Sequence, residues 1–141
     1  MIENGCHTTQ TRVRYKDTDR MGVVYYGNYL TFFEIGRAEY MRALGYPYTE
    51  LEAKGSSLAV IEASAKYHSN VGYDKLINIK TSVNNITRVK LRFDYEIFSD
   101  EDDKLLVTGF TVHACINNDK KPSRIPEVIV TAIKDSRTKQ A

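Results

Sequence analysis

Between residues 88 and 98 apolar and polar side chains alternate without a break. Val89, Leu91, Phe93, Tyr95 and Ile97 point one way, and Arg88, Lys90, Arg92, Asp94 and Glu96 the other. A period of two over this length predicts a strand with one face in the core and one in water. The same period recurs more weakly at 61–68, with Ile61, Ala63, Ala65 and Tyr67 on one side, and at 77–84, with Ile77, Ile79, Thr81 and Val83. Residues 105–116 are apolar on both faces, which predicts a more deeply buried strand. A first strand is expected at 11–15, where Thr11, Val13 and Tyr15 alternate with Arg12 and Arg14. Between this strand and the others the period changes to 3.6. From 23 to 44, Tyr25, Tyr29, Phe32, Phe33, Gly36, Tyr40, Ala43 and Leu44 fall on one helical face, and Gly45 and Pro47 end the run. Glu34 and Arg37, one turn apart, are placed to pair on this helix. Gly36 would let a neighbouring element come close to it. A short helix at 48–54 stops at Gly55, and 127–134, after Pro122 and Pro126, fits either a short helix or a last strand.

The order is strand, long helix, then four or more antiparallel strands, so helix and sheet are segregated and the class is α+β. One apolar helix and one sheet of five or more strands pack best with the sheet curled around the helix. Two copies joined edge to edge would cover the open strands.

The chain has 141 residues, a length that fits one domain spanning 1–141, with flexible tails expected at 1–7 and 135–141. With 42% hydrophobic and 27% charged residues it has the composition of a folded protein, which excludes a disordered or collagen-like chain. The net charge is +2 with no block of like charges, so nothing gathers the cations that nucleic-acid binding needs. Cys6 and Cys115 form no CxxC pair, and a reducing cytoplasm is the simplest compartment. No stretch approaches the ~20 apolar residues of a membrane span, so no stable membrane insertion is expected.

The chemistry concentrates at the turn Asp17-Thr18-Asp19-Arg20-Met21-Gly22, where the first strand gives way to the helix. The backbone N–H groups of a helix's first turn have no partner inside the helix, and such amides can hold an oxyanion. A carboxylate beside them would serve as nucleophile or general base. The same Asp-x-Asp pattern also serves as plain turn chemistry, the carboxylates accepting local amides. A calcium loop fails, because Met21 and Asn28 stand at its fifth and twelfth positions. His7, His68 and His113 are scattered and suggest no metal site, and Gly55-Ser56-Ser57-Leu58-Ala59 lacks the last glycine of a nucleophile elbow.

The string YKDTDRMGVVYYGNYLTFFEIGRAEYMRALG, residues 15–45, resembles the signature of the hot-dog-fold acyl-CoA thioesterases of the 4-hydroxybenzoyl-CoA thioesterase and Tol-Pal-associated group. The likeness continues through Tyr67, Gly72, Tyr73 and Asp74, and the element order fits over 8–134. The resemblance implies a hot-dog fold and Asp19 as the catalytic carboxylate, with Asp17 and Gly22 shaping the turn. It implies the backbone N–H of Tyr26, seven residues on, as the oxyanion donor, and places Arg88, with Lys90 beside it, at the CoA phosphates. Many Tol-Pal-associated relatives carry a histidine where this chain has Tyr26, whereas the 4-hydroxybenzoyl-CoA enzymes carry an aromatic residue there.

The resemblance implies hydrolysis of an acyl-CoA thioester without a cofactor, and places each site between the subunits of a homodimer or homotetramer. Two alternatives belong to other classes. A hot-dog hydratase or dehydratase would need a histidine with an acid, and none neighbours Asp19 in sequence. A non-catalytic acyl-CoA-binding or scaffold protein would keep the fold without the chemistry.

Overall fold

The computed structural model describes residues 1–138. Strand β1 (Cys6–Arg12) is followed by a 3-10 turn at Tyr15–Asp17, and a second at Tyr26–Asn28 runs directly into helix α1 (Tyr29–Leu44). Helix α2 (Tyr48–Ala53) leads to strands β2 (Ser57–Tyr67), β3 (Leu76–Ile86), β4 (Lys90–Ser99) and β5 (Leu105–Ile116), and helix α3 (Glu127–Thr138) closes the described chain. The strands form one antiparallel sheet in the order β1-β3-β4-β5-β2, so β1 and β2 are its edges.

Helix α1 touches β1, β2, β3 and β4, and its Phe33 reaches Gly109 on β5. Five strands spaced about 4.8 Å apart span about 19 Å, roughly twice a helix's diameter of about 10 Å, so contact with all five requires a curled sheet. Bulges between Val60 and Glu62, between Val83 and Asn85, and between Ile97 and Phe98 supply local bends. Inside this curl Leu91, Phe93, Tyr95 and Ile97 of β4 are all at most 1% exposed, whereas Val89, expected on the same face, precedes the strand and is exposed.

Two glycines set how near the helix lies. A Cβ on Gly36 would stand 2.5 Å from Thr81 Oγ1 and 2.7 Å from Ile79 Cγ2, closer than real contacts allow. A Cβ on Gly109 would collide with the Ser64 carbonyl oxygen and with the Phe33 ring. Phe33 fills the space so left and stacks on Tyr95 with ring centroids 4.3 Å apart and planes 5° from parallel. Arg37, one turn further on, is largely covered, lies against the Tyr48 and Tyr95 hydroxyls, and meets Glu34 at only 4.0 Å.

Several expected boundaries move. The first strand is at 6–12 rather than 11–15, with Tyr15 exposed in the 3-10 turn; its polar, Thr-rich sequence suits an edge strand that shows one face to water. The expected tails carry structure, since Cys6 and His7 open β1 and 135–138 continue α3; residues 139–141 lie outside the described residues. The α-helix starts at Tyr29 rather than near Val23, because 18–24 is taken up by a tight turn. Ala43 is exposed and Met41 takes the buried place, where Tyr40 approaches Ser136 of α3. The strand at 61–68 begins at Ser57, and the bulge at Ile61 turns that side chain outward. Arg88 precedes β4 instead of opening it. Of the two options at 127–134 the helix is adopted: Ile129 and Ile133, four residues apart, are both buried.

Under the helix a chain of polar groups crosses the core. Tyr95 Oη lies 2.6 Å from Thr111 Oγ1, which lies 2.8 Å from His113 Nε2, and His113 Nδ1 lies 3.3 Å from the Leu58 carbonyl oxygen. One proton arrangement satisfies all three contacts: Tyr95 donates to Thr111, Thr111 to Nε2, and Nδ1–H to Leu58, with the imidazole neutral. Burial lowers the His113 pKa to about 4; the Leu58 carbonyl pulls it back up and the nearby Arg37 charge pushes it down.

Two outcomes are expected. Gly36→Ala should lower stability by about 1–3 kcal/mol, because neither Ile79 nor the helix can yield without repacking. A urea midpoint shift at unchanged slope measures it, and an unchanged midpoint would mean that the helix does not rest on β3 as described. For His113 the native state binds fewer protons than the unfolded chain between pH 6.5 and 4. Its contribution is therefore present in full above pH 6.5 and lost as the pH falls toward 4, by about 3 kcal/mol at most. Urea midpoints across that window should fall more steeply for the wild type than for His113→Gln, and parallel curves would contradict the assignment.

Candidate active site

Residues 17–28 form a knot of local hydrogen bonds around the two aspartates. The Asp17 carboxylate accepts the Arg14 backbone N–H at 2.8 Å, and its carbonyl oxygen accepts both the Tyr25 N–H and the Asn28 side-chain amide at 2.9 Å. Asp17 is thereby committed to structure and ties the turn to the head of α1. Asn28 works in the same tie and does not cap the helix with its side chain.

Asp19 opens a tight reversal. Its N–H donates to Val23 O at 2.9 Å, its carbonyl accepts Gly22 N–H at 3.0 Å, and Oδ1 accepts Met21 N–H at 2.8 Å. Gly22 stands at φ +80°, a conformation that other residues adopt at a cost. Thr18 bridges to Val24, and Val23 bridges to Gly72, where a Cβ would press on the Gly22 carbonyl at 3.2 Å. Val24, itself buried, donates to Val71 O. The reversal is therefore anchored to the 71–72 loop on one side and to α1 on the other. The side chain of Asp19 is half-buried, and its Oδ2 has no hydrogen-bond or ion-pair partner among the described residues.

Tyr26 is the first residue of the 3-10 turn that leads into α1, and the Tyr25 side chain before it provides no cap. Among the described residues the N–H groups of Tyr26 and Gly27 donate to no acceptor. The Tyr26 carbonyl accepts the Tyr29 N–H and, at 3.2 Å, the hydroxyl of Tyr67 from the end of β2. Rings surround the turn: Tyr25 lies 4.5 Å from Tyr26, Tyr67 meets Tyr26 edge-on at 6.2 Å, and Tyr15 meets Tyr73 edge-on at 5.8 Å. Asp17, Asp19 and Gly22 thus lie in and beside the reversal, and Tyr26 opens the 3-10 turn that follows it.

Arg88 and Lys90 are not with them. Arg88 lines a cleft of about 360 Å³ together with Arg124, Glu127 and Lys134, and its backbone carbonyl accepts the Ile125 N–H. Lys90 points outward at the start of β4 and is not part of the cleft lining. Sequence reasoning missed Arg124 and Lys134, which come from the loop between two prolines and from α3. The cleft lies where β3 ends and β4 begins, whereas the Asp19 turn lies near Val13 and Lys75, where β3 begins. The ten residue steps of β3 separate these ends by about 33 Å.

None of the histidines bonds to Asp19: His68 pairs with Thr108 and His113 is in the core. Among the described residues no helix is long and apolar enough to cross a membrane.

This arrangement has relatives. Residues 13–133 match the thioesterase-like superfamily. The chain is 32% identical over 135 residues to the acyl-CoA thioesterase YbgC of Haemophilus influenzae, covering 94% of this chain and 96% of that one. It is 28% identical over 110 residues to the putative acyl-CoA thioesterase YneP of Bacillus subtilis, covering 78% and 79%. A DHNA-CoA thioesterase from Staphylococcus aureus superimposes with a TM-score of 0.87 at 32% identity, covering 92% of this chain and 89% of that one. The curled five-stranded sheet around α1 is the hot-dog fold, and the chain belongs to the thioesterase-like superfamily as a hot-dog-fold thioesterase.

Proposed function

We propose that the chain hydrolyses an acyl-CoA thioester to the free acid and CoA, with Asp19 as the reacting carboxylate and the Tyr26 N–H as the oxyanion donor. The observation that carries this reading is the pairing, on one rigid turn, of a carboxylate oxygen without a partner and backbone N–H groups without acceptors. The thioesterases among the relatives support CoA as the carrier. An amide aimed at the forming oxyanion contributes about 3–4 kcal/mol of transition-state stabilisation. Asp19 acts either by attacking the carbonyl carbon, expelling the thiolate and leaving an anhydride for water to open, or by taking a proton from the attacking water. Thiols are acids of the kind that cysteine exemplifies, with a pKa of about 8.5, far below that of an amine N–H, so the thiolate departs without the strong acid catalyst that an amine would need. Tyr26 in place of histidine therefore does not disable the site. Asp17 and Gly22 hold the turn.

The cation cleft at Arg88 suits the CoA phosphates, with three cations against one carboxylate from Glu127. Its place at the far end of β3 from Asp19 argues that the two sites on one chain do not serve one substrate. β2 is an edge strand with Val60, Ile61 and Tyr67 about half exposed. The Asp19 turn sits at its Tyr67 end, and its Ser57 end lies with the far end of the sheet, where β5 finishes and β4 begins. Antiparallel pairing of two β2 edges would bring the Asp19 turn of one copy to the Arg88 end of the other. The active unit is then a dimer with two shared sites.

On a panel of short, long and aromatic acyl-CoAs, Asp19→Asn should lower kcat/KM at least about 100-fold. Its urea midpoint should stay in place, because asparagine still offers Oδ1 to Met21. Turnover that survives the substitution, or its absence from the wild type on every substrate, would reject the assignment. Sharing of the site is testable by mixing. Co-expressed Asp19→Asn and Arg88→Ala chains should recover about a quarter of the wild-type sites, since half of random dimers are mixed and each mixed dimer has one intact site. No recovery at low substrate concentration would mean that Arg88 serves its own chain or none.

A further inference from the structure

We infer that Tyr67 is a positioning residue for the head of α1: its hydroxyl holds the Tyr26–Gly27 peptide in the orientation that presents the Gly27 N–H as a second donor beside the proposed Tyr26 N–H. This inference rests on the thioester-hydrolase reading of the Asp19 turn and adds to it a residue from a different part of the fold.

Three features of the structure carry it. First, the Tyr67 hydroxyl donates to the Tyr26 carbonyl at 3.2 Å, across 41 positions of sequence. That carbonyl belongs to the same peptide unit as the Gly27 N–H, and it also accepts the Tyr29 N–H. Donation into a peptide oxygen strengthens the N–H at its other end as a donor, because hydrogen bonds in a chain polarise one another. Second, the ring is fixed on two sides. It meets Tyr26 edge-on at 6.2 Å and Tyr29 at 5.7 Å, and Tyr29 is only 2% exposed. Third, Tyr67 is the last residue of β2 and pairs with Val107 of β5. The phenol is thus delivered from the hydrogen-bonded sheet. The turn it touches has no side-chain cap of its own and is otherwise held through the Asp17 carbonyl. A contact of 3.2 Å is long for two oxygens. Such bonds commonly tighten when the substrate is in place, and an oxyanion drawing on the Gly27 N–H would pull the Tyr67 hydroxyl in.

Tyr67→Phe keeps the ring and both aromatic contacts and removes only the donor. Losing one hydrogen bond that acts through the turn should lower kcat about five- to thirty-fold, with KM within twofold and the thermal midpoint unchanged. A second readout separates positioning from general support. An acyl-CoA analogue with a methylene in place of the thioester sulfur binds without being cleaved. The infrared band of its bound carbonyl should lie below that of the free analogue in the wild type and return part of the way in Tyr67→Phe at equal affinity. A wild-type kcat in Tyr67→Phe, or an unchanged carbonyl band, overturns the inference and leaves the hydrolase reading intact if Asp19→Asn is inactive. A wild type that hydrolyses no acyl-CoA overturns the hydrolase reading and this inference with it.

Discussion

Everything in this fold is referred to the distance at which α1 lies on the sheet. The distance is short because two Cβ atoms are missing: at Gly36, where Thr81 and Ile79 occupy the space, and at Gly109, where Phe33 does. With Phe33 stacked on Tyr95 and Gly36 pressed to β3, the helix can neither rise nor slide without losing close-packed contacts. The sheet in turn has to curl to reach the helix with all its strands. The head of α1 is therefore a fixed point, and the 17–28 turn is tied to it by the Asp17 carbonyl and the Asn28 amide. In the proposed mechanism, a carboxylate and a pair of amides on flexible loops would have to be brought together at each turnover. Here their geometry is set by the core.

The same frame separates the polar groups into kinds. In the core the Tyr95–Thr111–His113 chain is satisfied within itself and keeps His113 neutral, whereas the Tyr29 hydroxyl and Thr81 Oγ1 are buried without a hydrogen-bond partner among the described residues. Those at the Asp19 turn are left partly unsatisfied at the surface. Asp17 and Asp19, two positions apart, each accept one local amide through one carboxylate oxygen, and they differ in that the Asp17 backbone carbonyl also anchors the head of α1.

Much of this was legible in the sequence, and the part that was not has physical causes. β4 and β5 were readable because one face, or both, are in the core, and burial writes itself as period or as apolar run. β1 was misplaced because an edge strand rich in threonine needs no apolar alternation. Ile61 was put on the wrong face because a bulge shifts the phase by one residue, and a bulge has no strong local signature. The Asp19 turn was legible through its aspartates, its glycine and the family likeness of 15–45. Tyr67 was legible as a strand residue and as part of the family likeness but not as the partner of Tyr26, and Arg124 and Lys134 did not appear at all, because these residues meet their partners through tertiary contacts between segments distant in the chain.

The bare head of α1 has a consequence for the evolution of the protein. Tyr25 occupies the capping position of the 3-10 turn and its side chain caps nothing, although serine, threonine, aspartate or asparagine there would bond the exposed Gly27 amide and add about 1 kcal/mol of stability. Selection for heat resistance alone would favour such a substitution. In the proposed mechanism the substrate oxygen is received beside that amide, so the gain in robustness would come at the expense of turnover. The uncapped helix is where stability and turnover compete for the same hydrogen bonds.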